Sequence, residues 1–277
     1  MNQATSLRAH AKLTFELRIT GVRDDGYHLI DAEMASLDLH DVVTIDTGPD
    51  SPPGITVSGT YAAAVPTDRS NLVAGALERI GRTLDDTAVH ITKQIPHGGG
   101  LGGGSTDAAA VLRWGGVGTV TERRADDLSD AASLGADISF CLVGGRARVT
   151  GIGELVEPLP HLDRTVTLVI PPLSVSTPAA YRAWDELGMP RVDGANDLEP
   201  AALLVEPGLA WWRDAIADRC GAAPMLAGSG ATWFIEGARA SALADLVDEG
   251  AEIVVASTIA AGVDNEGDAG VAAERSS

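Results

Sequence analysis

Six glycines fill the seven positions Gly98-Gly99-Gly100-Leu101-Gly102-Gly103-Gly104, and Ser105 and an alanine-rich run follow directly. That much glycine costs backbone entropy, which suits a segment that must approach a ligand closely. A loop of small residues opening a helix presents consecutive N–H groups, and the helix dipole adds partial positive charge, so the natural ligand is a phosphate. Gly98-x-Gly100-x-x-Gly103 reads as a dinucleotide fingerprint, but the acids that should complete it, Asp126 and Asp127, open a helix instead of ending a strand. No lysine follows the last glycine, as a Walker A loop requires. A free glycine hinge is the bland alternative.

Phosphoryl transfer asks little covalent chemistry of a protein: charge neutralisation, positioning, and a base for the acceptor's proton. Lys12 shares a strand face with Thr14, so the two can meet in one site. Asp137, in Leu134-Gly135-Ala136-Asp137, sits at an element junction after a glycine, where either a base or a turn aspartate is at home. Tyr27-His28 follows the turn residues Asp25-Gly26 and reads as a packed aromatic or a ligand contact. Lys12 and Lys93 are the only lysines among 20 basic residues, so these two positions kept an ammonium where the rest of the chain uses arginine.

The wider composition narrows the function classes. The charge of −19 in 277 residues excludes general binding to nucleic acid or anionic membranes, which needs basic surface. No apolar run approaches the roughly 18 residues of a membrane helix, and Met1–Thr14 lacks a signal-peptide core. Cys141 and Cys220 show no CxxC spacing, and the six histidines are scattered. The expectation is a cytoplasmic protein acting on small molecules, a monomer or weak homodimer.

The elements that must position these residues read as follows. Leu13, Phe15, Leu17 and Ile19 alternate with Lys12, Thr14, Glu16 and Arg18, which predicts a strand with one apolar face. Further strands are expected over 41–45, 54–58, 88–94, 138–143, 145–150, 165–170, 232–236 and 252–257. Helices are expected over 71–84, 106–114, 126–134, 177–187, 197–205 and 238–249. The order predicts two α+β units, at 1–158 and 159–263, with a disordered tail over 264–277.

Taken together, Ala11-Lys12-Leu13-Thr14, Asp25-Gly26-Tyr27-His28, the Pro96-to-Ser105 loop, Leu134–Asp137 and Gly228-Ser229-Gly230-Ala231-Thr232 resemble the GHMP kinase superfamily over roughly residues 9–260. Within it the resemblance is to the branch that phosphorylates a cytidine-diphosphate-linked methylerythritol for isoprenoid precursors. It implies an S5-like N-terminal domain and a ferredoxin-like C-terminal one, with ATP as co-substrate. By the same resemblance Asp137 would be the general base, with Lys12 beside it stabilising the transferred phosphoryl. Pro96, Gly98–Gly104 with Leu101, Ser105 and Thr106 would cradle ATP phosphates, and Asn71 and Lys93 would lie near adenine. His28 would hydrogen-bond cytosine between Tyr27 and Tyr181, with Thr14 and Thr177 contributing to the acceptor site. Mg²⁺ is expected with ATP; Ser105 is a candidate ligand and the remaining ligands stay open.

Several positions depart from the pattern: His10 and Ser139 stand where the family has proline, Thr14 where it has asparagine, and Gly115-Gly116 interrupts the stretch that usually continues the helix. Thr14 keeps a hydroxyl but lacks the amide's second donor. The alternatives are a relative acting on homoserine, mevalonate or a sugar, or a catalytically weak nucleotide binder.

Overall fold

The computed structural model describes residues 4–117 and 125–262, and the tail expected over 264–277 lies outside the described residues. The chain opens as a long antiparallel hairpin of β1 (Thr5–Val22) and β2 (His28–Asp46), turned through Gly26 at φ 86°. It continues through β3 (Gly54–Gly59), α1 (Leu72–Arg79), β4 (Ala88–Lys93), α2 (Gly103–Trp114), α3 (Ala125–Leu134), α4 (Ile138–Val143), β5 (Arg146–Gly151) and β6 (Leu155–Leu159). β2 is the strand on which this six-stranded sheet is built, in the order β3-β4-β2-β5-β6 with β1 also on β2. It pairs with β1 along its length, with β4 over 42–46 and with β5 over 30–35. Leu77 of α1, Leu112 of α2 and Phe140 of α4 share a buried core with sheet residues such as Ile91.

The second sheet is built from β7 (Thr165–Ile170), β8 (Met225–Leu226), β9 (Trp233–Glu236) and β10 (Glu252–Ser257), all antiparallel in the order β10-β7-β9-β8. Between β7 and β8 run α5 (Thr177–Glu186), α6 (Glu199–Val205) and α7 (Gly208–Cys220).

A third apolar cluster joins the two sheets: Leu13 and Phe15 of β1 and Leu37 of β2 pack with Leu168 of β7 and Phe234 of β9. The Phe15 and Phe234 rings meet edge to face, 5.5 Å between centroids. This corrects the single apolar face expected for 12–19. A register shift between Thr14 and Glu16 sends Leu13 and Phe15 to the shared cluster, while Leu17 and Ile19 face the first core.

Other departures have local causes. The expected strand at 138–143 is α4: all six residues are buried, so no polar face marks the period, and a short apolar run fits either element. The helix expected over 71–84 stops at Arg79. Gly81 takes φ 73°, the Gly81 N–H donates to the Glu78 carbonyl and the Arg82 N–H to the Leu77 carbonyl, closing the helix end. The helix expected over 238–249 is a 3₁₀ segment at Ala240–Val247. Sequence reading missed α7, β6 and the two-residue β8, and took only the last residues of β2. No helix among the described residues is long and apolar enough to cross a membrane.

A shared cluster couples the two sheets mechanically. Phe234→Ala is expected to cost about 3–5 kcal/mol, the usual range for a buried phenylalanine. Urea unfolding followed by far-UV dichroism and by tryptophan fluorescence should shift together; separate transitions would show that the sheets unfold independently.

Candidate functional site

The glycine loop joins β4 to α2, and its helix begins earlier than its alanines suggest, with Gly102 as the residue before the first turn. The Thr106 N–H donates to the Gly102 carbonyl at 2.9 Å, so the N–H groups of Gly103, Gly104 and Ser105 have no helical acceptor. Gly100 and Gly102 both take φ above 70°. A Cβ on Gly102 would lie 2.7 Å from Cγ of Lys12, and one on Gly100 would strike the Ala227 carbonyl. Steric crowding as well as backbone angle therefore demands glycine here.

The loop lines a cavity of about 310 Å³ together with Asn71, Lys93 and Pro96. Asn71 caps α1: its Oδ1 accepts from the Val73 N–H at 3.0 Å and its Nδ2 donates to the Pro66 carbonyl. Lys93 lines this cavity as well, and its buried ammonium donates to Asp41 and, at 2.7 Å, to Asp107, so it also anchors the loop. Thr106 is buried behind the loop and lines neither cavity, and its N–H makes the first bond of the helix.

The three buried charges under the loop are unequal. Asp41 Oδ1 also accepts from the Gln94 and Ile95 N–H groups, while Asp107 Oδ1 is buried with no partner among the described residues. Burial pushes the Asp107 carboxyl up to about 7, with the Asp41 charge adding to the rise and Lys93 opposing it. Burial works to lower the Lys93 value, but Asp107 and Asp41 outweigh it and the value is raised.

A second cleft, about 690 Å³, adjoins the first, and both are lined by Gly100 and Ser105. Lys12 and Asp137 face it, with Nζ 3.3 Å from Oδ2; the same ammonium donates to Thr14 Oγ1 at 3.3 Å. Lys12 is buried, while the Asp137 side chain is 32% exposed and open to an acceptor. Because 138–143 is helical, Asp137 stands at the N-cap position of α4 instead of leading into a strand, and its side chain makes no capping hydrogen bond. Opposite, Gly228 at φ 61° comes close to Lys12 and Thr14. That loop is held by Asn196, whose Nδ2 donates to the carbonyls of Leu226 and Gly228, and by the Thr177–Ser229 hydroxyl pair at 2.8 Å.

The same cleft is lined by Tyr27, His28 and Tyr181. Tyr27 is 60% exposed. The ring in contact with Tyr181 is that of His28, 4.7 Å between centroids. Burial pushes the Tyr181 hydroxyl upward, with the Asp137 charge adding to the effect. Burial also lifts the Cys141 thiol to about 12, which makes it an inert apolar group behind Asp137. Sequence reading missed Asp185, Arg182 and Asn196. Asp185 was legible in principle, one helical turn beyond Tyr181; nothing local marks the other two. No group of three metal-ligating side chains exists among the described residues.

Comparison with known proteins follows this geometry. A family model described as the GHMP kinases N terminal domain matches residues 71–145. The chain is 37% identical over 245 residues to a 4-diphosphocytidyl-2-C-methyl-D-erythritol kinase of Paracoccus denitrificans, covering 82% of this chain and 84% of the other. It is 35% identical over 253 residues to a kinase of the same name from Cereibacter sphaeroides, covering 83% and 88%. A crystal structure of a 4-(cytidine 5'-diphospho)-2C-methyl-D-erythritol kinase superimposes with a TM-score of 0.69 at 26% identity, over 91% of this chain and 98% of the other. A homoserine kinase from Cytophaga hutchinsonii, 18% identical over 92% of this chain and 95% of its own, shares the fold at a TM-score of 0.58.

The Asp107 carboxyl generates a pH prediction. Its folded value near 7 exceeds an unfolded value near 4, so the folded protein holds a proton that the unfolded chain has lost between those pH values. This group's contribution to stability therefore declines as pH rises from about 4 to about 7. Asp107→Asn keeps a neutral side chain, so urea melts should show the variant gaining about 1–3 kcal/mol relative to wild type between pH 5 and pH 8. A constant difference would place the proton elsewhere.

Proposed function

The chain belongs to the 4-diphosphocytidyl-2-C-methyl-D-erythritol kinases of the GHMP kinase superfamily, and from that premise we propose how its two cavities carry out the transfer. It is a phosphotransferase: the γ-phosphoryl of ATP passes to the 2-hydroxyl of 4-diphosphocytidyl-2-C-methyl-D-erythritol. The observation that carries the site assignment is the Lys12–Asp137 pair, 3.3 Å apart, in the cleft that meets the glycine-loop cavity at Gly100 and Ser105.

ATP is assigned to the smaller cavity, its phosphates on the N–H groups of Gly103, Gly104 and Ser105. The acceptor fills the larger cleft, with its cytidine end at Tyr27, His28 and Tyr181 and its polyol end at Thr14 and Asp137. Asp137 takes the proton from the 2-hydroxyl as that oxygen forms its bond to the γ-phosphorus and the bond to the ADP oxygen breaks. Lys12 neutralises charge on the transferring group, and Thr14 holds the ammonium in place. Thr177 steadies the Gly228 loop through Ser229, and Arg182, exposed in the same cleft, offers charge for the acceptor's diphosphate.

When bound with ATP, Mg²⁺ would supply charge neutralisation on its phosphates. A magnesium ion keeps several waters and few protein ligands, so a site with one suitable hydroxyl fits it, and Ser105, which lines both cavities, would be the residue to hold it. We read the N-terminal sheet and its helices as an S5-like domain spanning 1–158, with a ferredoxin-like domain over 159–263. The strand order β10-β7-β9-β8 supports the latter, since by rank in the chain it is 4-1-3-2. The reaction is assigned to the cytoplasm.

Asp137→Asn should lower kcat by roughly 10²–10⁴-fold while nucleotide affinity stays within about threefold, measured by coupled ADP release and by nucleotide titration. Loss of nucleotide binding would make the aspartate structural. Tyr181→Ala should raise the acceptor KM with little change in kcat; an unchanged KM would remove the ring from the acceptor site. Running wild type against the cytidine acceptor, homoserine, mevalonate and galactose tests the substrate directly, and turnover only of another acceptor would overturn it.

A further inference from the structure

Of the three aromatic side chains that line the cleft, only His28 has a ring nitrogen committed to a partner. Its Nε2 lies 2.8 Å from Oδ1 of Asp185, a residue on α5 one turn after Tyr181. The ring is further fixed by Tyr181 across one face and by Trp184 edge-on at 5.7 Å. Trp184 is itself pinned by its Nε1–H donated to the Pro190 carbonyl. Nδ1 has no hydrogen-bond partner among the described residues, and His28 lines the cleft.

We propose that Asp185 is a positioning residue that sets the specificity of the cleft by fixing the tautomer of His28. An ionised carboxylate only accepts hydrogen bonds, so the proton must reside on Nε2. In the neutral ring Nδ1 is then a lone pair and can only accept. The pyrimidine substituent it can bind is a donor, the exocyclic amine of cytosine. The oxygen that replaces that amine in uracil would meet the same lone pair with repulsion. The inference rests on the reading that the acceptor's base enters at His28. Asp185 acts through the imidazole, as second partners orient histidines elsewhere.

The chain offers a clean variant. Asp185 is exposed, and its bond to His28 is the one side-chain hydrogen bond it makes among the described residues, so replacing it leaves the buried framework intact. Nitrogen-15 NMR of the ligand-free protein at pH 8, above the ordinary imidazole range, should show His28 protonated at Nε2 and bare at Nδ1. Asp185→Leu should return the ring to a mixture of tautomers, and Asp185→Asn, whose amide oxygen still accepts from Nε2, should restore the wild-type signature. In turnover, Asp185→Leu should raise the KM for the cytidine acceptor roughly tenfold, leave the KM for ATP and kcat within about twofold, and erase most of the preference over the uridine counterpart. Asp185→Asn should recover both quantities in large part.

A wild-type ring protonated at Nδ1, or an unchanged cytidine preference in Asp185→Leu, would overturn the proposal. Failure of the functional reading looks different: the wild type itself would not use the cytidine acceptor, while the NMR measurement would still decide the Asp185–His28 bond.

Discussion

The ammonium of Lys93, buried between Asp41 of β2 and Asp107 of α2, ties the helix that follows the glycine loop to the sheet beneath it. A loop with six glycines has a single side chain, that of Leu101, with which to hold itself. Its shape must come from its ends and from what presses on it. Lys93 fixes one end, Leu101 is buried, and the Lys12 N–H donates to the Leu101 carbonyl at 2.9 Å. On the other side the Ala227 and Gly230 carbonyls crowd Gly100, and a Cβ on Gly99 would lie 2.6 Å from the Thr232 hydroxyl. The loop is thus clamped between two sheets, and its conformational freedom is spent on fit.

That clamp explains why the shared cluster of Leu13, Phe15, Leu37 and Phe234 matters for chemistry. The register shift after Thr14 turns β1 from one core to the other, and Lys12 and Thr14 lie just before it, in the cleft between the sheets. The segment at 195–197 pairs with Leu17 through backbone hydrogen bonds, and Asp197 accepts from the Ile19 N–H. Asn196 then reaches the Gly228 loop. One strand therefore presents the ammonium, packs the inter-sheet core and braces the opposite wall of the site.

Much of this was legible in the residues, and the limits are physical. The glycine loop, the Lys12 strand and the Leu134–Asp137 corner announce themselves because each is a local departure in composition. The geometry that joins them is non-local: Asp41 is 52 residues from Lys93 in sequence, and no spacing reveals that pair. The same holds for Asn196 and the Gly228 loop. α4 was misread because complete burial removes the polar face on which periodicity depends. β2 was misread because a strand paired on both edges and bent across two cores carries no single alternation.

The scarcity of lysine acquires a reason at both positions. Lys93 serves two carboxylates from different elements in a space so confined that a Cβ on Gly103 would lie 3.2 Å from Nζ. A planar guanidinium is larger and directs its donors in a fixed fork, so arginine cannot take that place. Lys12 likewise lies under Gly102 and Gly228 and meets a carboxylate and a hydroxyl from one point, with a transferring phosphoryl as the third partner in the proposed reaction. A compact charge on a flexible stem suits three partners in different directions. Elsewhere on the chain bidentate pairs such as Arg146–Glu33 and Arg148–Asp31 use the fork that arginine offers. A protein of charge −19 can therefore bind two anionic substrates without a basic surface. In the proposed reaction, backbone N–H groups supply the field for ATP, and one confined ammonium supplies it at the point where negative charge moves.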